Sequence, residues 1–347
     1  MLSFTYIFIL SLAEITFYLD SIAHAKIKND QESFHMSPTE SILIKRIIVN
    51  YYPKCNEEMK KLYDKIKSLM TVKMNQTFIG KMSWHITQYM AEKSINKSVV
   101  KKNKHKKDKL HFRINNNELE LELILSRCPT DASRSEFIAS IIYSYLDNPQ
   151  YVRERIVFKN ELEILEEAIK ENQLVQIKAK SNRKSKPAFQ IISPKEICVS
   201  NEEIYNYLLF KKSVDGKDET RSIHLFNIDT AFLLPDNCTF SLEILNYFKR
   251  MKRNGVQFSI NDDTIYKIRF TEDGLKRYNN LNYLEKPVAL ENSDPETGIY
   301  YFDCSEMHFK NYFAHFYDEM EVLEPKEMRE YLLGLGQRMV NMYSKDI

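Results

Sequence analysis

The sequence predicts an α+β protein in three parts. Three observations carry this: a strand-helix-helix order met twice in residues 1–150, a run of short strands over 173–240, and strands alternating with helices over 241–347. A connecting helix over 151–172 joins the first part to the second. The 347 residues suffice for two or three domains, and 43% hydrophobic content allows each a core. Only 7 Gly and 10 Pro argue against an extended disordered chain.

The clearest strand of the first part is Lys109 to Asn115. Leu110, Phe112 and Ile114 alternate with Lys109, His111, Arg113 and Asn115, so one face is apolar and the other polar. A helical stretch follows, with Leu119, Leu123 and Ile124 on one side. Ser133 and Glu136 then have capping-box spacing and open a second helix, whose apolar stripe is Phe137, Ile138, Ile141, Ile142 and Tyr145.

The same order occurs earlier. Residues 2–10 read as a strand and Ser11 to Ala25 as a helix. A helix opened by Ser37-Pro38-Thr39-Glu40-Ser41 carries Leu43, Ile44, Ile47, Ile48 and Tyr51. Shifted by 94 positions, these five fall on the five stripe residues of the later helix, which points to an internal duplication. A helical stretch from Asn56 to Met70 follows.

This order resembles the ribbon-helix-helix DNA-binding fold. The resemblance implies that two strands pair into an antiparallel ribbon that enters the major groove of duplex DNA, while the second helix's start holds a phosphate. Carried onto this sequence, it turns Lys109, His111, Arg113 and Asn115 toward bases, and Ser133, Arg134 and Ser135 toward the backbone. The first copy departs from the pattern: its outward positions would be Ser3, Thr5 and Ile7, none of them basic. The other reading of the region is a strand-helix-helix packing unit without DNA contact.

Charge favours the nucleic-acid reading. Residues 1–150 carry 22 Lys+Arg against 16 Asp+Glu, a net +6, whereas the remainder carries a net −4. The basic connector 97–109 includes Lys101, Lys102, Lys104, Lys106 and Lys107, which are expected to meet phosphates.

In the middle part, strands are expected at Leu174 to Lys180, Phe189 to Val199, Ile204 to Phe210 and Arg221 to Leu234, with a turn at Asp215-Gly216. Short strands at this spacing suggest a small barrel. The helix running into Glu166-Glu167-Ala168-Ile169, the stretch Ile192-Ser193-Pro194-Lys195-Glu196-Ile197, the triplet Asn206-Tyr207-Leu208 and the stretch Arg221 to Ile228 resemble the WYL domain, a barrel of Sm-like or SH3-like form. The resemblance implies ligand sensing, often of nucleic-acid fragments, and assigns effector contacts to Tyr205, Tyr207, Arg221, His224, Asn227 and Gln190. Departures at Asn206 and Ala179 remove two aromatics, and those at Asn227 and Gln190 two basic residues, usual in the family, and both tyrosines equally fit a partly buried barrel role.

Residues 241–347 are similar to the C-terminal extension of WYL regulators. Glu321-Val322-Leu323-Glu324-Pro325, the helix start at Lys326-Glu327-Met328, and the aromatic helix before them carry that similarity. It implies a homodimer.

Other classes find little support. No glycine-rich phosphate loop or nucleophile elbow is present, and His308 with His315 lack a third ligand, so neither an enzyme nor a cofactor or metal site is expected. The five cysteines are scattered without a CxxC pair, which suits a reducing compartment. The apolar start is interrupted by Glu14 and Asp20 and lacks a basic lead-in, so residues 1–25 are expected to stay on a cytoplasmic protein that does not enter a membrane. The expected function is a ligand-responsive DNA-binding transcription regulator. The alternative is an accessory protein that binds single-stranded nucleic acid, as WYL proteins associated with CRISPR systems are thought to do.

Overall fold

The computed structural model describes residues 14–36, 39–69, 82–83, 86–87, 107–115, 117–128, 132–180, 189–281 and 286–344. The chain forms two compact units, 1–159 and 160–347. The described part is mixed α and β, with three sheets. Among the described residues no helix is long and apolar enough to cross a membrane.

The N-terminal unit runs β1 (Glu14–Asp20), α1 (Ser21–Ser33), α2 (Glu40–Leu69), β2 (Lys107–Arg113), α3 (Leu119–Ser126), α4 (Arg134–Leu146) and α5 (Gln150–Val157). The strand expected at 2–10, with Ser3, Thr5 and Ile7, lies outside the described residues. The helix expected from Ser11 to Ala25 is corrected: residues 14–20 are a strand, and the helix begins at Ser21. Ile15, Phe17 and Leu19 alternate with Glu14, Thr16 and Tyr18, and this period of two suits an extended chain over a core. Asp20 stops the strand and caps α1, its carboxylate accepting from the Ile22 and Ala23 amides.

β1 and β2 pair antiparallel, Glu14 opposite Arg113 and Asp20 opposite Lys107. Ile15, Phe17, Leu19, Leu110 and Phe112 are buried beneath the ribbon, and the Phe17 and Phe112 rings meet edge to face at 6.2 Å. The five apolar positions of α2 and their counterparts on α4 are all buried. The matched tyrosines Tyr51 and Tyr145 touch each other, 6.3 Å between centroids. Buried strand residues of the two copies correspond at a shift of 95 (Ile15 with Leu110, Phe17 with Phe112), one more than the helices. At that shift Thr16 corresponds to His111, its own pairing partner.

A buried charge network ties the copies together. Asp30, fully buried on α1, accepts two hydrogen bonds from Arg153 of α5, at 2.7 Å from Nε and 2.6 Å from Nη2. The Tyr145 hydroxyl donates to the same carboxylate at 2.8 Å. Burial, followed by the charge of Asp30, pushes the Tyr145 phenol well up, which keeps it a donor. The expected connecting helix over 151–172 is corrected to two: α5 ends at Val157, and α6 (Lys159–Glu171) begins after Phe158.

The C-terminal unit takes in the rest of α6, then β3 (Gln173–Ala179), β4 (Phe189–Val199), β5 (Asn206–Val214), β6 (Lys217–His224) and β7 (Ile228–Asn237). These form an antiparallel sheet of order β6-β5-β4-β3-β7. Asp215 and Gly216, both at positive φ, make the tight turn from β5 to β6. The strand expected from Arg221 to Leu234 is corrected to two, broken by a one-turn 3-10 helix at Leu225–Asn227 whose Leu225 and Phe226 are buried. The expected closed barrel is also corrected. Edge strands β6 and β7, though consecutive in sequence, do not pair with each other, because that buried turn parts them and the sheet stays open. A register shift between Pro194 and Glu196 bends β4 midway, as a bulge does.

Helix α7 (Leu242–Asn254) packs Ile244, Tyr247, Phe248 and Met251 against Leu209 of that sheet. Next come β8 (Tyr266–Phe270), α8 (Glu272–Asn280), β9 (Ile299–Phe302), α9 (Glu306–Phe313), β10 (Met320–Glu324) and α10 (Lys326–Tyr343). The three strands form a sheet of order β10-β8-β9 over an aromatic core that includes Phe270, Tyr278, Phe302, Phe309, Phe313 and Phe316. The alternation of strands and helices is as the sequence implies.

Candidate nucleic-acid interface

The solvent face of the ribbon is built by strand parity. With Leu110 and Phe112 held in the core, Lys109, His111 and Arg113 must point outward, and all three are exposed, as is Lys107. β1 adds exposed Glu14 and Tyr18 and half-buried Thr16 to the same face. The register sets Arg113 opposite Glu14, His111 opposite Thr16 and Lys109 opposite Tyr18. The His111 ring comes within 3.9 Å of the Glu14 carboxylate. Asp108 has the opposite parity and meets His24 of α1, whose Nδ1 lies 2.9 Å from its carboxylate. The other nitrogen of His24 meets Glu40 at 3.0 Å, so one ring fastens β2 to the first residue of α2.

A cleft of about 570 Å³ separates the ribbon's polar end from the start of α2, with Thr39, Ser41 and Lys45 on one wall and Lys109, Arg113 and Asn115 on the other. Lys45 is anchored by both oxygens of Glu118 at 2.8 Å. Burial works against ionisation of Glu118, but Lys45 and the Asn115 amide outweigh it and hold the carboxyl below the usual carboxylate range. Asn115 sits past the end of β2, its amide donating to Glu118 at 2.8 Å.

The start of α4 forms the expected capping box: Ser133 accepts from the Glu136 amide at 3.2 Å, and Glu136 accepts from the Ser133 amide and hydroxyl. The Ser133 side chain is therefore occupied in fixing the helix start, while Arg134 projects into solvent and Ser135 is half-buried. Lys101, Lys102, Lys104 and Lys106 lie outside the described residues. Lys107, assigned to the connector by sequence, is the first residue of β2. Tyr18, Thr16, Thr39, Ser41 and Lys45 are members of this surface that sequence reasoning passed over. The alternation of residues 14–20 was the signal for the first two, and the 94-residue shift, which puts Thr39 and Ser41 on Ser133 and Ser135, was the signal for the next two.

The expected effector set does not converge. Tyr205, Tyr207 and His224 do meet: the Tyr207 hydroxyl is 3.0 Å from His224 Nε2, and that imidazole lies 4.1 Å from the Tyr207 ring and 4.6 Å from Phe226. Tyr205 meets the same imidazole edge to face at 5.3 Å. Arg221 pairs with Phe210 rather than Tyr207, so it has the opposite strand parity to His224, and its guanidinium is held by Glu219 at 2.5 Å. Gln190 accepts from Lys212, five residues along β5 from Tyr207, roughly 17 Å at the usual strand rise. Asn227 closes the 3-10 turn, its carbonyl accepting from the Lys180 amide.

No family model and no curated protein sequence matches the chain. Among solved structures, the chain is similar to a crystal structure of a CRISPR Cas-related protein, with a TM-score of 0.63 at 15% identity over 97% of this chain and 95% of that one. The two share a fold. The proteasome accessory factor B/C of Arthrobacter aurescens aligns with a TM-score of 0.26 at 13% identity, over 64% of this chain and 35% of that one. That value is too low to bear on the fold.

Proposed function

We propose that this chain is a non-catalytic, cytoplasmic nucleic-acid-binding regulator of the WYL type, and that its N-terminal unit grips duplex DNA with a ribbon-helix-helix surface made within one chain. One observation carries this: Lys109, His111 and Arg113 stand side by side on the solvent face of a two-stranded antiparallel ribbon. An antiparallel ribbon fits the major groove, where such side chains meet base edges. The order of the five-stranded sheet, with consecutive strands at its edges, is compatible with a small SH3-like form opened at that seam.

The test is selection of bound sequences from random duplexes by the full chain. A defined site should emerge, and its affinity should fall steeply as salt rises, because cations that contact phosphates release counterions on binding. Binding without sequence preference, or with a flat salt response, would overturn the duplex reading.

The homodimer is proposed to form through α10, which leaves Leu333, Val340, Met342 and Tyr343 exposed. Leu333→Asp with Val340→Asp is expected to halve the mass measured by light scattering. Unchanged mass would place the contact elsewhere.

A second reading is an accessory protein for single-stranded nucleic acid. The fold shared with a CRISPR Cas-related protein is consistent with it.

A further inference from the structure

The half of the open sheet made by β4, β3 and β7 carries three large apolar side chains in solvent: Phe189 at 56% exposure, Ile191 at 53% and Phe232 at 51%. Residues directly paired in an antiparallel sheet project to the same side. Ile191 and Phe232 both pair with Gln176, while Phe189 and Thr230 both pair with Lys178. Two rows therefore lie on one face: Phe189-Lys178-Thr230, then Ile191-Gln176-Phe232. The other face carries Val175, Ile177, Ile192 and Ala231, all buried, so the phenylalanines belong to the side away from the core.

Large apolar side chains exposed together on one face of a sheet mark a contact surface. The strand between them says what kind. A lysine and a glutamine run through the middle of the patch, and the Lys178 ammonium is held at 2.8 Å by Asp229. Protein interfaces are depleted in lysine at their centres, whereas rings flanking a cation and an amide suit bases and phosphates. Lys180 follows two residues beyond Lys178, whose acid partner is Asp229. Strand spacing and rise put the Phe189 and Phe232 positions roughly 12 Å apart, which holds two bases of one strand rather than both faces of one base.

We infer that this face binds single-stranded nucleic acid, with bases stacked on Phe189 and Phe232 and a phosphate drawn to Lys178. The inference rests on the second reading above and gives it a surface. That surface is distinct from the Tyr207 cluster, where His224 already lies against the tyrosine ring.

The experiment titrates the full chain with a labelled short oligothymidylate and a labelled short oligouridylate. Phe189→Leu with Phe232→Leu keeps an apolar side chain at each position and removes the stacking rings, and is expected to weaken binding about fivefold or more per ring. Phe189→Tyr with Phe232→Tyr should bind like the parent. Equal binding by the parent and the leucine variant overturns the proposal. If Tyr207→Ala loses the binding instead, the second reading survives without this face. No binding by the parent overturns both. A change of mass in light scattering on the leucine substitutions would make the face a protein contact and also overturn the proposal. Duplex binding through the ribbon should be the same in every variant, which separates this surface from the first reading.

Discussion

Arg153→Ala should destabilise the N-terminal unit by about 3–5 kcal/mol, the cost typical of breaking a buried ion pair from one side. The guanidinium supplies two of the three hydrogen bonds to Asp30, and that carboxylate has no solvent to turn to. The remaining partner, the Tyr145 phenol, offers a single donor. Because Asp30 lies in the last turn of α1 and Tyr145 on α4, the loss falls on the contact between these helices beneath the ribbon. Denaturant unfolding of the full chain, followed by a signal from the N-terminal unit, measures it. The double substitution Asp30→Leu with Arg153→Met should recover much of the loss, since removing both charges leaves none stranded. A double variant as unstable as Arg153→Ala alone would show that the side chain acts by packing rather than by charge.

How much of this was legible in the sequence depends on whether neighbours in the chain or neighbours in space decide. The α4 cap was legible because Ser133 and Glu136 satisfy each other within one turn. The buried stripe at 94-residue spacing was legible because helix periodicity repeats locally. The strand at 14–20 was missed although Ile15, Phe17 and Leu19 alternate plainly, because Ser11 to Ala25 was read as one helix. Asp30 and Arg153 gave no sign, being 123 positions apart and brought together only by packing. The spread of the effector set over the sheet follows a spatial rule. Parity along a strand tells which residues share a side, but which strand lies opposite, and in what register, is set by pairing. Tyr207 found His224 across β5 and β6, while Arg221 and Gln190 were carried to other places on the sheet.

The triple substitution Lys109→Ala, His111→Ala and Arg113→Ala should abolish sequence-selective duplex binding while leaving the fold intact. All three side chains are exposed, and β2 keeps Leu110 and Phe112 in the core, so the unfolding midpoint should move little. Each side chain that meets a base edge contributes about 1–3 kcal/mol of discrimination, so losing three brings a selected site down toward non-specific affinity. Arg113→Ala alone should relax preference at one base position. Arg113 also faces Glu14 across the ribbon, and that carboxylate would repel phosphate once the cation is gone. Glu14→Gln is therefore expected to tighten binding in the parent and to restore part of what Arg113→Ala loses. Anisotropy titrations at fixed salt, on the selected site and on a scrambled duplex, separate the two effects. A triple variant that still prefers its site would place the groove-reading surface off the ribbon, and the cleft at the start of α2, with Lys45 and Ser41, would be the next surface to test.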